Sequence, residues 1–429
     1  MEERIYREFV EILKEELIPA MGCTEPIAVA YCAALARDQL GCMPERVEVK
    51  ASANIIKNVK SVVVPNTGGQ RGISAAAAAG IIAGHADRKL QVLAGMPKDQ
   101  IGEVAKFLGR AECAVEQSDR EYVFDIQVRL TGGGHTAFAE IAGYHTNVIR
   151  LEKDEEILIC KDYQEQGKRY ATDRSLLTVE RIVEFADCVE MVDVQEILQR
   201  QIDYNMAIAE EGLRGDYGAN IGSVLLKAYG NSVHNRAKAY AAAGSDGRMN
   251  GCELPVVINS GSGNQGLTAS LPVIVYAEEM KASRETLYRA LVVSNLVTIH
   301  LKTGIGCLSA YCGATSAGCG AGAGIAYLYG GKTYEISHTI VNAIAVDSGM
   351  ICDGAKASCA AKIASAVEAG LLGLQMQLHG SQFYGGDGIV VKGVENTIRN
   401  VCALASVGMR ETDRTILRLM MEEDSRSGC

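Results

Sequence analysis

The sequence predicts an α+β fold, in which a mixed α/β N-terminal unit is followed by a mostly α-helical region. Residues 47–65 and 122–158 show β-branched alternation and turn signals, which are typical of strands. From about residue 176 onward this strand-like pattern is nearly absent, and long helical segments separated by Gly-rich breaks follow. The 429 residues are enough for more than one domain. We predict three units: 1–43, 44–174 and 175–429.

The sequence of the first unit predicts two helices, which we expect to pack on the helical region. Apolar residues recur at helical spacing over residues 4–18, and Pro19 ends that helix. A second helix is predicted from about Glu25 to Leu40, with Pro26 in its first turn. The chain then changes to strand-like text, so the first unit ends near residue 43.

The second unit alternates strands with helices, and the third is built almost only of helices. Helical text at 72–89 and 98–109 separates the two strand-like stretches. In the third unit the Gly-rich breaks delimit these helical segments: 176–211, 219–243, 267–299, 319–330, 334–347, 356–375 and 393–406. Glycine is abundant, with 46 residues, and Trp is absent, so small residues must do much of the helix packing.

Charge and hydropathy exclude several classes of partner. The net charge is −10 and no basic stripe with interleaved aromatic residues occurs, so we expect no nucleic-acid partner. No uninterrupted apolar run of membrane-spanning length is present, and the acidic, amphipathic start lacks the build of a signal peptide. We therefore expect a cytoplasmic protein without a membrane partner.

The cysteine content points to thiols or a metal site rather than to disulfides. There are 14 cysteines and no secretion signal. Five of them fall within 53 residues of Gly-rich text: Cys307, Cys312, Cys319, Cys352 and Cys359. Their spacing fits neither a zinc finger nor a ferredoxin run. A soft-metal or iron–sulfur site is one reading, and buried apolar thiols are the other.

Cys352 and Cys359 are close in sequence but need a chain break to meet. On one continuous helix they would be separated by about 10.5 Å of rise, which is too far for one compact metal centre. Asp353-Gly354 between them is a turn signal, so we predict a loop that lets both sulfurs converge. Lys356 lies between them, and two roles stay open: it offsets a negative centre, or it points to solvent.

Cys23 opens the second predicted helix, in the segment Gly22-Cys23-Thr24-Glu25-Pro26. A helix N-terminus lowers the pKa of a thiol, because the dipole and the unpaired amides favour the thiolate. Cys23 is thus a candidate nucleophile, base or metal ligand, and the alternative is a buried helix cap.

The stretch from Gly261 to Gly266 matches the dinucleotide pattern G-x-G-x-x-G. No second strand follows it, so the context of a dinucleotide fold is missing. A Gly-rich loop that opens a helix can still cradle an anion. We predict that it holds a small carboxylate, through Ser262, Gly263, Asn264 and Gln265, with a plain helix-entry turn as the alternative.

These segments together resemble a known family. GCTEP near the start, INSGSGNQG in the middle, and the pair AYCGATSAG and MICDGAKASC resemble the L-cysteine desulfidase branch of the iron–sulfur L-serine dehydratase alpha-chain family. The resemblance covers nearly the whole chain. In the serine enzymes the second cysteine of the last segment lies a few residues further on, and the C-terminal-tail cysteine of some members has no convincing match in Cys429.

The resemblance implies a [4Fe–4S] cluster with one open iron that acts as a Lewis acid. Cys352 and Cys359 match the paired ligands, and Cys312 is the best match for the third, with Cys307 and Cys319 as alternatives. Cys23 matches a cysteine of the desulfidases that serves as catalytic base or as a thiol at the fourth site. By analogy, the loops that carry Asn66, Thr67 and His135 would close over the substrate, although each is also readable as a surface turn.

The resemblance further implies α,β-elimination of L-cysteine to pyruvate, ammonia and hydrogen sulfide in the helical region. We expect a small amino-acid substrate, no pyridoxal phosphate and a homodimer. Two alternatives remain. One is L-serine or L-threonine dehydration on the same cluster, and the other is a non-catalytic metal-binding or redox-sensing thiol protein.

Overall fold

The computed structural model describes residues 1–164, 170–306 and 308–426, with side chains described as far as residue 420. The structure is 60% helical and carries a mixed sheet toward the N-terminus, so the α+β prediction is confirmed. One cluster of buried apolar residues runs through α1, the sheet and the helical region, and forms a continuous core. The three predicted units therefore share their core, and their boundaries stay predictions.

The α-helices of the described residues begin and end as follows: α1 Glu3–Glu16, α2 Thr24–Leu40, α3 Ala53–Val59, α4 Gly72–Ala83, α5 Lys98–Arg110, α6 Val179–Cys188, α7 Met191–Arg214, α8 Ile221–Tyr229, α9 Val233–Met249, α10 Gly263–Glu279, α11 Arg284–Ile305, α12 Gly313–Leu328, α13 Thr333–Asp347, α14 Cys359–Leu378, α15 Val394–Ala403 and α16 Arg410–Arg426.

The strands are β1 Pro19–Met21, β2 Arg46–Ala51, β3 Glu112–Gln117, β4 Asp125–Gly132, β5 His135–Ala142, β6 Val148–Lys153, β7 Glu156–Cys160 and β8 Pro255–Val257. β1 and β8 form a small antiparallel pair. The remaining strands form one sheet of order β3-β2-β4-β5-β6-β7. In it β2 and β3 are parallel, and the other neighbours are antiparallel.

Helices α2 and α4 cover one face of the sheet. Alternate residues on β4, such as Ile126, Val128 and Leu130, are buried toward that face. Residues 1–43 contact both parts of the chain, and the prediction that they pack on the helical region stays a prediction. α1 contacts α7 and β1 pairs with β8. α2 packs on the sheet and on α4, and at its N-terminal end the hydroxyl of Thr24 donates to the carbonyl of Gly261 at 3.0 Å.

Residues 47–65 were predicted as strand, and this is correct only as far as Ala51. The chain turns at Ser52, whose Oγ donates to the carbonyl of Val123 at 2.9 Å, and α3 begins at the next residue. Ile55 and Val59, four residues apart, are buried on one face of that helix. Tertiary burial of this face overrides the β-branched composition.

The helical region follows the predicted order but is more finely divided. Three of the predicted segments each contain two helices: 176–211 holds α6 and the start of α7, 219–243 holds α8 and α9, and 267–299 holds α10 and α11. The chain also continues after residue 406 into α16, which the sequence analysis did not predict.

Helices pack closely where α12 crosses α14, as the glycine content predicts. A Cβ atom added at Gly370 would lie 2.2 Å from the carbonyl oxygen of Gly318. One added at Gly322 would lie 2.6 Å from the carbonyl oxygen of Gly370. The two backbones can approach this closely only because neither helix carries a side chain there.

Gly370→Ala is therefore expected to destabilise the protein. The added methyl group forces α12 and α14 apart, and overpacking of this kind costs about 1–3 kcal/mol or more. Gly102→Ala in α5 is the matched control, since an added Cβ there meets nothing within 4 Å. Thermal unfolding should show a clear loss for Gly370→Ala and none for Gly102→Ala. Equal melting temperatures for both variants would contradict the close crossing.

The sheet contains a buried acid that should make stability depend on pH. Burial first, and then the charge of Asp125, raise the pKa of Glu140 from 4.5 to about 7. The folded protein thus holds this proton more tightly than the unfolded chain, so the contribution is fully present below pH 4.5 and is lost as pH rises through about 7. Over that pH interval the wild type should lose on the order of 2 kcal/mol in its free energy of unfolding, and Glu140→Gln should not show this loss.

Melting temperatures recorded between pH 4 and 8 test this expectation. The wild type should fall relative to Glu140→Gln as pH rises. Glu112→Gln in β3, at a side chain that is 71% exposed, is the control and should follow the wild type. If Glu140→Gln instead kept the wild-type pH profile, the buried carboxyl would not be its source.

Within residues 1–164, 170–306 and 308–426, no helix has both the length and the apolar character needed to cross a membrane.

Candidate active site

The N-terminal ends of α2, α10, α12 and α14 meet at one cavity of about 100 Å³. Cys23, Ser262 and Cys312 are the N-cap residues of the first three, and Cys359 is the first residue of α14. No side chain caps any of these ends. The positive end of each helix dipole is therefore directed toward the cavity, which favours negatively charged groups there.

Backbone pairing joins the two cysteine segments of the helical region. Tyr311 and Ile351 form an isolated antiparallel bridge. The N–H of Cys312 donates to the carbonyl of Met350 at 3.0 Å, and the N–H of Cys352 donates to the carbonyl of Ala310 at 2.6 Å. These bonds place the thiols of Cys312 and Cys352 side by side, although they are 40 residues apart.

The chain between Cys352 and Cys359 is a loop, as the Asp353-Gly354 pair predicts. Helix α14 begins only at Cys359, and both cysteines line the cavity. Gly354 has φ +95°, and a Cβ there would lie 2.5 Å from the carbonyl oxygen of Lys57. Glycine is required at this position both by the left-handed backbone and by the contact with α3.

The three thiols differ in their ease of ionisation. A hydrogen bond from the Cys312 thiol, aided by the charges of Lys57 and Lys302, lowers the pKa of Cys352 to about 6. The same bond, together with burial, raises the pKa of Cys312 well above 9.0. Burial also raises the pKa of Cys359. Cys352 is thus the thiol of the three that ionises most easily, and a thiol must lose its proton before it binds a metal.

Cys23 lies at the helix start as predicted, but its expected low pKa is not found. Burial and the nearby charge of Glu25 raise the pKa of the Cys23 thiol well above 9.0, and Arg248 only partly opposes them. The thiol donates to Oε2 of Glu25 at 3.1 Å. The position at the N-terminus of α2 is therefore right, whereas desolvation outweighs the helix dipole in setting the protonation state.

The Gly261–Gly266 turn contributes to the same cavity as the thiols, and its Gln265 lies next to Gly313, where an added Cβ would be 2.6 Å from Cδ of Gln265. Ser262, Asn264 and Gln265 line the cavity, and Oε1 of Gln265 is buried without a hydrogen-bond partner among the described residues. Gly263 is not on the cavity wall; a Cβ there would lie 2.2 Å from Nε of Arg248, so its role is to let the arginine pass.

The predicted substrate contacts of the α/β unit do not reach the cavity. The side-chain amide of Asn66 donates to the carbonyl of Leu93 at 2.7 Å, and the hydroxyl of Thr67 donates to the carbonyl of Val64 at 2.7 Å. Both bonds hold the loop shape. His135 is on a hairpin, is more than half exposed and pairs with Asp154 at 3.0 Å. In this structure these three side chains stabilise loops, because local hydrogen bonds take their polar atoms.

The structure also bears on two questions that the sequence left open, the alternative third ligand and the role of Lys356. Cys319 is buried inside α12 and is not on the cavity wall, whereas Cys312 is. Lys356 neither faces the cavity nor points freely to solvent, since it forms an ion pair with Asp353. Asp353 also pairs with Lys362, which does line the cavity. Cys307 and Cys429 lie outside the described residues.

The cavity also contains charged groups that the sequence analysis did not assign. They are Glu25, Arg248, Lys302 and Lys362. Arg248 lies in the last turn of α9, where a basic residue is common for reasons of helix stability, so position gave no signal. Its setting in Gly- and Ala-rich text was the one available signal, because a charge surrounded by small residues is expected to be buried.

The donor set fits an iron–sulfur cluster. Three cysteine sulfurs line one cavity, and sulfur ligands are those that iron–sulfur clusters use. In the part of the chain that the structure describes, no three or more His, Cys, Asp or Glu side chains are spaced to hold one metal ion. That result concerns a single ion, whereas a cluster distributes its cysteines over separate irons.

Comparison with known proteins places the chain in a family context. The sequence model described as serine dehydratase alpha chain matches residues 87–418. The chain is 57% identical to a UPF0597 protein of Desulfitobacterium hafniense over 99% of both chains. It is 49% identical to a UPF0597 protein of Lachnoclostridium phytofermentans, over 97% of this chain and 100% of the relative. A UPF0597 protein of Treponema denticola is 45% identical, over 97% and 98% of the two chains.

Proposed function

Since the chain belongs to the serine dehydratase alpha chain family, whose members are lyase-type iron–sulfur dehydratases, we propose that it is an L-cysteine desulfidase. The observation that supports this most is the convergence of Cys23, Cys312, Cys352 and Cys359 on one cavity that the Ser262–Gln265 turn also lines. A candidate base, a set of cluster ligands and a cradle for a carboxylate are thereby within reach of one small substrate.

Cys312, Cys352 and Cys359 are the residues that would hold a [4Fe–4S] cluster. When bound, the cluster supplies a thiophilic Lewis acid that stabilises the departing sulfur. The lysines around the thiols, Lys57 and Lys302, lower the pKa of Cys352 and so favour the thiolate that ligation needs.

Cys23 is the proposed base. In its thiolate form it takes the α-proton as the Cα–H bond breaks, and the freed electron pair forms the Cα=Cβ bond. The Cβ–S bond breaks with its electrons on sulfur, which gives aminoacrylate and hydrosulfide. Tautomerisation and hydrolysis by water then give pyruvate and ammonium. Burial and Glu25 oppose the thiolate, while Arg248 favours it, so this step depends on the balance of charge around Cys23.

The turn that opens α10 holds the substrate carboxylate in this proposal. Its first N–H groups have no side-chain cap, and Ser262 and Asn264 add polar atoms on the cavity wall. An anion at this helix start would gain from both the free amides and the dipole. The carboxylate is then fixed at the start of α10, in the same cavity as Cys352 and Cys359.

A second candidate is dehydration of L-serine or L-threonine at the same site. The description of the matching family favours it, since that family is named for serine dehydratase. The GCTEP segment favours cysteine, because it resembles the desulfidase branch of the family, and its Cys23 and Glu25 line the cavity. The two reactions share the base and the cluster, and they differ only in the leaving group.

An anaerobic assay with L-cysteine and L-serine in parallel separates these candidates. Pyruvate is measured for both substrates, and sulfide for cysteine. We expect equal amounts of sulfide and pyruvate from cysteine, with a larger kcat/KM than for serine. Pyruvate from serine alone would support the dehydratase. No pyruvate from either substrate, with iron bound, would support a non-catalytic thiol protein.

A further inference from the structure

Arg248 is a buried cation without an anionic partner. It is 2% exposed, and no carboxylate forms an ion pair with it among the described residues. One guanidinium nitrogen donates to Oδ1 of Asn264 at 3.0 Å and contacts Sδ of Met249 at 4.0 Å, while Nε has no hydrogen-bond partner. A buried charge of this kind is costly unless a ligand completes it.

Glu25 is the complementary group in the same cavity. Its Oε2 accepts from the thiol of Cys23 and from the hydroxyl of Thr24, each at 3.1 Å, and both donors are neutral. In the described part of the chain no lysine, arginine or histidine forms an ion pair with it. Glu25 and Arg248 both act on the Cys23 thiol, with opposite sign, so both lie near it. They do not pair with each other.

We propose that Arg248 binds the α-carboxylate and Glu25 binds the α-ammonium of an amino-acid zwitterion. The inference rests on the proposed function and names the residues that select its substrate class. A planar guanidinium suits a carboxylate because two N–H groups can donate to its two oxygens. Two unpaired charges of opposite sign, held apart beside Cys23, match a ligand that carries both signs on one carbon.

Arg248 also contacts the turn that opens α10. Arg248 donates to Asn264, and Gly263 leaves room for the guanidinium, so the arginine passes under the first turn of that helix. A carboxylate at the helix start therefore meets both the free amides and the guanidinium. An ammonium group at Glu25 would in turn lie next to the Cys23 sulfur, which places Cα beside the proposed base.

L-Alanine is the probe of choice, because it has both charged ends but no leaving group and is not turned over. Propionate lacks the ammonium group and ethylamine lacks the carboxylate. Ligand-observed NMR titrations with the anaerobically purified full-length protein give a dissociation constant for each. We expect alanine to bind at least about tenfold more tightly than either fragment. If propionate or ethylamine bound as tightly as alanine, or if alanine did not bind, the proposal would be wrong.

Two variants test which residue binds the carboxylate of alanine and which binds its ammonium group. Arg248→Gln should weaken alanine binding about 10- to 100-fold and remove the preference for alanine over ethylamine. Glu25→Gln should remove the preference for alanine over propionate and keep the preference over ethylamine. Arg7→Gln, at a side chain that is 77% exposed, is the matched control and should bind all three as the wild type does. Wild-type alanine affinity in Arg248→Gln would overturn the assignment.

A purely structural role for Arg248 makes a different prediction. It would lower the melting temperature of Arg248→Gln and leave the ligand preferences of the folded fraction unchanged. Because an unpaired buried charge is removed, we expect the ligand-free variant to melt no lower than the wild type. Alanine binding needs no turnover, so the binding experiment can support the roles of Arg248 and Glu25 even if the desulfidase assay shows no activity. Conversely, if the protein releases sulfide but Arg248→Gln binds alanine normally, the role of Arg248 is wrong and the proposed function still stands.

Discussion

Cys352→Ala is expected to remove most of the iron from protein purified without oxygen, and turnover with it. Cys352 has the lowest thiol pKa of the four cysteines that line the cavity, about 6, and is therefore the best prepared to bind as thiolate. Loss of a residue that only supports a ligand typically lowers metal affinity about 10- to 100-fold, and loss of a ligand itself should lower it at least as much. Iron analysis and the visible absorption of the cluster measure the effect.

Three further cysteine variants make this a test of the ligand set. Cys312→Ala and Cys359→Ala should lose iron as Cys352→Ala does. Cys319→Ala should keep it, because that thiol is buried inside α12 away from the cavity wall. Cys113→Ala in β3 is a control outside the helical region and should also keep it. Iron retained in Cys352→Ala, or lost in Cys319→Ala, would show that the ligands are assigned wrongly.

Cys23→Ala should keep its iron and lose about 10²- to 10⁴-fold in kcat, the range for loss of a positioned general base. The thiol is on the cavity wall but at the start of α2, on a different element from the three proposed ligands. Turnover and iron content of the same preparation separate the base from the ligands.

Cys32→Ala is the matched control for this variant. Cys32 lies on the same helix, is fully buried, and its thiol donates to the carbonyl of Ala139 at 3.4 Å, on the side that faces the sheet. We expect wild-type turnover and iron content from it. If Cys23→Ala lost iron, Cys23 would be a ligand of the fourth site instead of the base; if it kept full turnover, it would be neither.

Features that depend on neighbouring residues were predictable from the sequence. The Asp353-Gly354 break, the helix start at Cys23 and the loop that opens α10 each follow from local turn and helix-start chemistry, and the structure has all three. These local features were enough to predict which helix ends carry thiols. The meeting of four helix ends in one cavity is a long-range result that local chemistry does not contain.

The misses have physical causes of the same kind. Residues 53–59 have strand-like composition, but burial of one face makes them helical and brings Lys57 to the cysteine loop. The thiol of Cys23 was expected to ionise easily, yet burial and Glu25 outweigh the helix end. Asn66, Thr67 and His135 looked available for substrate, but each makes a hydrogen bond within the α/β unit: Thr67 in its own loop, and Asn66 and His135 to neighbouring loops.

Arg248 shows how a buried charge can be missed when only the sequence is available. Its position in the last turn of α9 does not distinguish it from an arginine that stabilises the end of a helix, and its Gly- and Ala-rich setting suggests only burial. Its role becomes visible only when burial and the lack of an ion pair among the described residues are seen together. Functional charges of this type are therefore easier to find in a structure than in a sequence.

Iron-edge anomalous diffraction from crystals grown without oxygen locates iron without reference to activity, and so tests the cluster site itself. We expect a strong anomalous peak inside the cavity at the starts of α10, α12 and α14, bounded by the sulfurs of Cys312, Cys352 and Cys359. An iron peak elsewhere in the molecule, or no peak at these sulfurs in protein that contains iron, would contradict this expectation.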